Sequence, residues 1–149
     1  MNLHRLSVLA DAIESHSHDG IGFNMRNWFA RREATPPKGF VGSPEVFPDR
    51  SGHNCGTVAC IAGHAVIAFR LELNPIELRG GLISAIAREK LELTSDEAFN
   101  LFHACGGPCS KSYLSLNQVT QAEAVNTLRY AAVNGVIDWW AANEKEMPE

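Results

Sequence analysis

The segment from Val58 to Phe69 places the strongest constraint on the fold, because it is almost entirely apolar. A helix of this composition has nearly no polar face, so its stable position is the interior of a domain. The segment is far shorter than the roughly 20 residues that a bilayer-spanning helix needs. Thr57 precedes it and can serve as an N-cap. We therefore predict a central apolar helix that begins after Thr57 and is surrounded by other helices.

Apolar residues recur at helical spacing in several other segments, which we expect to pack around this helix. A short helical turn is predicted at Asn74-Pro75, followed by a break at Gly80-Gly81. The other predicted helices are 2–15, about 82–91, 94–103, 120–134 and a short one around 136–140. The predicted fold is mainly α, a compact bundle of about five to six helices in one domain that covers residues 1–149.

Two of these helices carry an explicit start signal. Thr94 and Glu97 have the spacing of a capping box, in which each side chain bonds the backbone amide of the other residue. Thr120 and Glu123 repeat this pattern, and Asn134-Gly135 supplies a stop for the second helix. Both helices are therefore predicted to begin at defined residues.

Residues 33–54 form a long segment that is rich in Pro and Gly and also carries apolar side chains. Loops of this length in a compact domain are usually functional or disordered, and apolar anchors favour a loop that packs on the surface. Phe40 and Phe47 are the anchors that we consider candidates for partner binding. The preceding aromatic segment, Phe23 to Phe29, is compatible with either a short helix or an extended piece laid across the core.

Charge and composition narrow the classes of partner. The 149 residues include 13 basic and 17 acidic side chains, with a net charge of -4 and no block of one sign. This distribution gives no indication of nucleic-acid binding. Residues 1–10 lack the continuous apolar run of a secretory signal. The four cysteines are therefore expected to stay reduced in the cytoplasm, as free thiols or metal ligands.

Cysteine and histidine residues are concentrated in two clusters, one near the start of the apolar segment and one about 50 residues later. The potential ligands are His53, Cys55, Cys60, His64, His103, Cys105 and Cys109. On a helix Cys60 and His64 would lie on one face, where both could reach one ion, and zinc suits such ligands. The alternative is that Cys60 and His64 are buried core residues, since the cysteine spacing is wider than in most zinc knuckles.

A catalytic thiol is another interpretation of the first cluster. Cys55 would lie near the start of the apolar helix, where the helix dipole lowers a thiol pKa, and His53 could act as its base. No third catalytic residue or oxyanion site can be identified from the sequence. His16 and His18, near the end of the first helix, are interpreted as solvated side chains.

The adjacent Trp139 and Trp140 are candidates for a recognition surface. Neighbouring side chains of one helix point in different directions, so we expect at least one of the two indoles to be exposed. An exposed indole would favour a groove for a partner protein, and a second copy of the chain is one candidate partner. The polar segment from Asn143 to Glu149 that follows is expected to fray.

Three segments together resemble a group of small uncharacterised bacterial and bacteriophage proteins. They are Phe23–Trp28, Cys55–Ala65, and Leu91–Ala98 with Leu101-Phe102. The middle segment is the most distinctive, although the group often carries an aromatic residue where this chain has His64. The resemblance suggests an origin and implies neither catalytic residues nor a mechanism.

These observations favour a non-enzymatic intracellular binding or accessory protein, of phage or mobile-element origin, that acts through protein–protein contact. The lack of a catalytic constellation in the sequence, the anchored loop and the aromatic pairs support this hypothesis. The alternative is a zinc-binding protein or a cysteine-dependent enzyme centred on Cys55 and Cys60.

Overall fold

The apolar segment forms a helix at the centre of the fold. The computed structural model describes residues 1–15, 22–23, 25, 29–31, 57–74, 83–106, 111–114, 116 and 118–145. In this part of the chain the helices are α1 (Leu3–Glu14), α2 (Ile61–Ala68), α3 (Ile83–Lys90), α4 (Ser95–Phe102), α5 (Gln121–Asn134) and α6 (Trp139–Ala142). A 3-10 helix covers Arg70–Glu72. The mainly helical class predicted from the sequence is confirmed.

Two small sheets accompany the helices. The first contains β1 (Gly22–Phe23), β2 (Phe29–Arg31) and β3 (Thr57–Ala59). β3 lies in the middle of this sheet, parallel to β1 and antiparallel to β2. The second is an antiparallel ribbon of β4 (Cys105–Gly106) and β5 (Lys111–Ser112). Phe23 and Phe29 therefore lie in extended chain, the second of the two conformations predicted for their segment.

The composition of α2 explains its position. Every residue from Ile61 to Ile67 is buried, and α1, α3 and α4 all pack against this helix. Gly63 lies within this buried stretch despite the low helix propensity of glycine. The predicted arrangement of an apolar helix surrounded by other helices is confirmed.

The predicted start of this helix is wrong by about one turn. Thr57 is not an N-cap, because Thr57–Ala59 is a strand in which Val58 pairs with Gly22 on one side and Ala30 on the other. β-branched residues such as Thr57 and Val58 favour extended backbone. The helix begins at Ile61, where this pairing ends, and Cys60 occupies the N-cap.

α1 and α5 pack against each other. The buried residues of α1 are Leu6, Leu9, Ala10 and Ile13, the apolar stripe that its sequence predicts. Gln121 at the start of α5 donates to the carbonyl oxygen of Ile13 at 2.9 Å. Arg129 forms ion pairs with Asp11 at 3.1 Å and Glu14 at 2.6 Å. These polar contacts border the apolar interface between the two helices.

Both predicted capping boxes are present. The amide of Glu97 donates to Thr94 Oγ1 at 3.2 Å, and Glu97 Oε2 accepts from the amide of Thr94 at 2.7 Å. The corresponding distances for Thr120 and Glu123 are 3.2 and 2.9 Å. Gly135 ends α5 in the left-handed conformation, with φ of 71°. Glycine adopts this conformation without the steric cost that a Cβ brings.

The expectation that one indole of the tryptophan pair is exposed is wrong. Trp139 and Trp140 are 0% and 4% exposed, so neither can form the predicted recognition surface in this fold. The indole N–H of Trp139 donates to the carbonyl oxygen of Asn100 in α4 at 3.0 Å. The ring of Tyr113 packs edge-on against Trp140, with centroids 5.5 Å apart. The fold therefore covers both indoles, and Tyr113 packs against each of them.

The segment after α6 is ordered further than predicted. The side-chain amide of Asn143 donates to the carbonyl oxygen of Trp139 at 2.9 Å and to Thr127 Oγ1 at 3.2 Å. Lys145 forms an ion pair with Glu123 at 2.6 Å. The predicted fraying is therefore wrong for residues 143–145, because their polar side chains find partners on α5 and α6.

Several predictions concern residues that lie outside the described part of the chain. These are the loop 33–54 with Phe40 and Phe47, the histidines His16, His18 and His53, the cysteines Cys55 and Cys109, and Pro75 with Gly80-Gly81. None of the helices in the described ranges combines the length and the apolar run that crossing a bilayer requires.

Candidate functional site

Cys60 and His64 lie one helical turn apart at the start of α2. The carbonyl oxygen of Cys60 accepts from the amide of His64 at 2.9 Å. Both side chains are in the core, with exposed fractions of 3% and 2%. Phe23 stacks on the imidazole of His64, with ring centroids 6.2 Å apart and an interplanar angle of 20°. Their surroundings are therefore those of a packed interior.

Burial controls the chemistry of the Cys60 thiol. Desolvation raises the pKa of Cys60 to about 11, and the backbone amides of Gly63 and Ala62 lower it only in part. The raised pKa disfavours the thiolate, which is the form that attacks an electrophile. Cys60 has the character of a small apolar core residue.

The second predicted cluster is divided between the surface and the interior. His103 is exposed at the end of α4, where its ring lies 4.8 Å from that of Phe99 between centroids. Cys105 is buried, and its thiol donates to the carbonyl oxygen of His103 at 3.4 Å. The two side chains thus point into different environments.

Within the described residues, no group of three or more His, Cys, Asp or Glu side chains is placed to hold a metal ion. Cys60 and Cys105 are both buried. The remaining members of the predicted ligand set, His53, Cys55 and Cys109, lie outside the described ranges. The described part of the predicted set therefore forms no zinc site of its own.

A different cluster of ionisable side chains, which we call the Glu123 cluster, contains Tyr113, Thr120, Glu123 and Lys145. Glu123 Oε1 accepts from the hydroxyl of Tyr113 at 2.9 Å and from Lys145 Nζ at 2.6 Å. Glu123 Oε2 accepts from the amide and the hydroxyl of Thr120, both at 2.9 Å. Glu123 therefore caps α5 and also binds two side chains from other segments.

The capping box identified Glu123 in the sequence, but only as a helix start. No sequence pattern marked Tyr113 and Lys145 as partners of Glu123. They lie 10 and 22 positions from Glu123, in segments that share no periodicity with it. A local pattern cannot indicate such a contact, since it depends on how the segments pack.

The pKa values in the Glu123 cluster show what it can do chemically. Burial opposes ionisation of Glu123, but hydrogen bonds from Lys145, Thr120 and Tyr113 outweigh it and lower the pKa to about 2. Burial raises the pKa of Tyr113 above its usual value. General acid–base catalysts work best with a pKa near the operating pH, and neither group meets this condition at neutral pH. The hydrogen bonds of the cluster stabilise the ionised form of Glu123.

Tyr113 extends the Glu123 cluster into the core. Its ring stacks on Trp139 with centroids 5.6 Å apart. Lys145 Nζ lies 4.7 Å from the centroid of the Tyr113 ring and forms a cation–π contact with it. The segment that follows β5, the start of α5 and the turn after α6 are thereby held together. Aromatic ring pairs of this kind add about 0.5–1.5 kcal/mol beyond the buried area.

The outer face of α4 carries the most distinctive exposed side chain of the described residues. Phe99 is 50% exposed and lies against the exposed His103 one turn later. The other large exposed apolar residues in the described ranges are all aliphatic: Leu3, Val8, Leu71, Val133 and Val136. Aromatic residues are enriched at protein–protein contacts, where they bury a large area on binding.

Comparisons of this chain with known protein families, with curated proteins and with solved structures gave no match.

Proposed function

We propose that the chain is a non-enzymatic binding protein that acts through contact with another protein, and that the outer face of α4 takes part in this contact. The observation that carries the proposal is the half-exposed ring of Phe99, which lies against His103 rather than in the core. The exposed half of this ring contributes no burial energy to the fold, but it contributes when a partner covers it.

The chemistry of the described residues supports the same proposal. The thiol of Cys60 is protonated and buried, and the Glu123 cluster has pKa values far from neutrality. These groups stabilise the fold rather than present reactive atoms to a substrate. An accessory role inside a bacterial cell, of bacteriophage or mobile-element origin, completes the proposal and rests on the resemblance of three sequence segments.

Site-specific photo-crosslinking tests the proposal. A benzoylphenylalanine placed at position 99 should give one discrete adduct with another protein when the chain is expressed in its native host. The same probe at Leu71, which is 95% exposed on the 3-10 helix, provides the matched control. A partner-specific surface predicts an adduct from position 99 and none from position 71.

Two results would contradict the proposal. The first is that position 99 gives no adduct, or the same mixture of adducts as position 71. The second is turnover of a small molecule by the purified chain without any partner. An adduct of twice the mass of the chain would identify the partner as a second copy.

A further inference from the structure

The end of α5 carries two neighbouring residues that can react with each other. Asn134 is the last residue of α5 and Gly135 follows it, which makes them the one Asn-Gly pair in the sequence. A backbone nitrogen can attack the side-chain amide of a preceding asparagine, because the two groups close a five-membered ring. Glycine suits the position after the asparagine, since it has no side chain to obstruct the approach and leaves the backbone free to turn.

Solvent reaches both residues of the pair. Asn134 and Gly135 are exposed. No atom of the described residues lies within 4 Å of the position that a Cβ of Gly135 would take. Water and hydroxide therefore have access to the Gly135 amide, whose proton has to leave before its nitrogen attacks.

The folded turn engages both reacting groups. The amide of Gly135 donates to the carbonyl oxygen of Ala131 at 2.9 Å. The side-chain amide of Asn134 donates to the carbonyl oxygen of Tyr130 at 3.0 Å. Both contacts lie at the C-terminal end of α5, and helix ends open at lower free energy than the whole molecule. Opening of this turn is therefore enough to release the two groups.

We propose that Asn134 is a site of spontaneous deamidation, which proceeds while the last turn of α5 is open and the rest of the fold is intact. The Gly135 nitrogen loses its proton to solvent and bonds to Cγ of Asn134, and the side-chain nitrogen leaves as ammonia. Water then opens the cyclic imide at either carbonyl, which leaves aspartate or isoaspartate at position 134. The proposal is independent of any partner that α4 binds.

The product destabilises the turn in which it forms. A carboxylate at position 134 cannot donate to the carbonyl oxygen of Tyr130. It also adds a negative charge at the C-terminal end of the helix, where the helix dipole is already negative. Isoaspartate in addition inserts a carbon atom into the main chain just before Gly135. The modified chain therefore opens this turn more often than the unmodified chain.

Peptide mapping by mass spectrometry tests the proposal. The full-length folded chain is kept at neutral pH and physiological temperature, and samples are digested at mildly acidic pH, where the reaction is slow. Fragmentation of the peptides locates each asparagine that has become an acid. Asn126 is the internal reference, because it is exposed on the same helix and is followed by Thr127 in place of glycine. We expect conversion of Asn134 and none of Asn126 over the same period.

Two variants of similar stability distinguish opening of the turn from global unfolding. Ala132→Gly lowers the helix propensity of the last turn, and Thr94→Ala removes the cap of α4 at a similar cost. Ala132→Gly should accelerate conversion of Asn134 about fivefold, the effect of about 1 kcal/mol in an opening equilibrium, whereas Thr94→Ala should leave the rate unchanged. Equal acceleration in both variants, no acceleration in either, or wild-type conversion of Asn134 no faster than that of Asn126 would overturn the proposal.

Discussion

At the scale of single residues, Glu123 connects more of the structure than any sequence pattern indicates. Its capping box with Thr120 is local and therefore predictable, whereas its bonds to Tyr113 and Lys145 depend on packing. The same holds for Trp139 and Trp140. Helix geometry predicts that the two side chains differ in direction, but it does not predict which parts of the fold bury them. The sequence therefore identifies Glu123 as a helix cap but does not identify Tyr113 and Lys145 as its partners.

Glu123→Gln should lower the free energy of unfolding by about 2 kcal/mol at neutral pH, since it removes a charged acceptor from several hydrogen bonds. The folded pKa of about 2 is lower than the usual value of 4.5, so the ionised group stabilises the fold above pH 4.5. That stability is lost as pH falls through about 2. Urea unfolding of both proteins across this pH range measures the difference.

Glu97→Gln is the matched control for this prediction, because Glu97 occupies the same capping-box position in α4. Among the residues that the structure describes, Glu97 has no bond to a distant segment comparable with those of Glu123 to Tyr113 and Lys145. Its loss of stability should therefore be smaller than that of Glu123→Gln. Equal losses, or a difference between wild type and Glu123→Gln that does not shrink toward pH 2, would contradict the account.

At the scale of elements, local signals predicted what local interactions determine. The capping boxes of α4 and α5 and the glycine stop of α5 are in place, because each depends on residues within one turn. β3 was missed, because its strand character depends on pairing with Gly22–Phe23 and Phe29–Arg31, which are 26 or more positions away. The start of α2 moved to Ile61 as a consequence.

Replacing either capping threonine should lower stability, by an amount that depends on what else the threonine contacts. Thr94→Ala removes an isolated cap and should cost about 1 kcal/mol of stability. Thr120→Ala should cost more, because Thr120 Oγ1 also donates to the Glu123 carboxylate that holds Tyr113 and Lys145. Thermal unfolding of the two variants under identical conditions measures the ranking. A larger loss for Thr94→Ala would show that the Glu123 cluster does not couple α5 to the other segments.

At the scale of the whole molecule, the described residues form a helical scaffold in which the reactive side chains are used for packing. Cys60 and His64 lie in the core, the Glu123 cluster joins distant segments, and Phe99 remains at the surface. We therefore propose that the protein works by contact with another protein and that Cys60 and His64 serve as core residues instead of metal ligands.

Native mass spectrometry of freshly purified protein, before and after treatment with a chelator, tests this claim most directly. We expect the mass of the reduced chain as a monomer or an oligomer, and we expect the chelator to leave this mass unchanged. Stoichiometric zinc that the chelator removes would contradict it and would make the predicted ligand set, from His53 to Cys109, the functional centre of the protein.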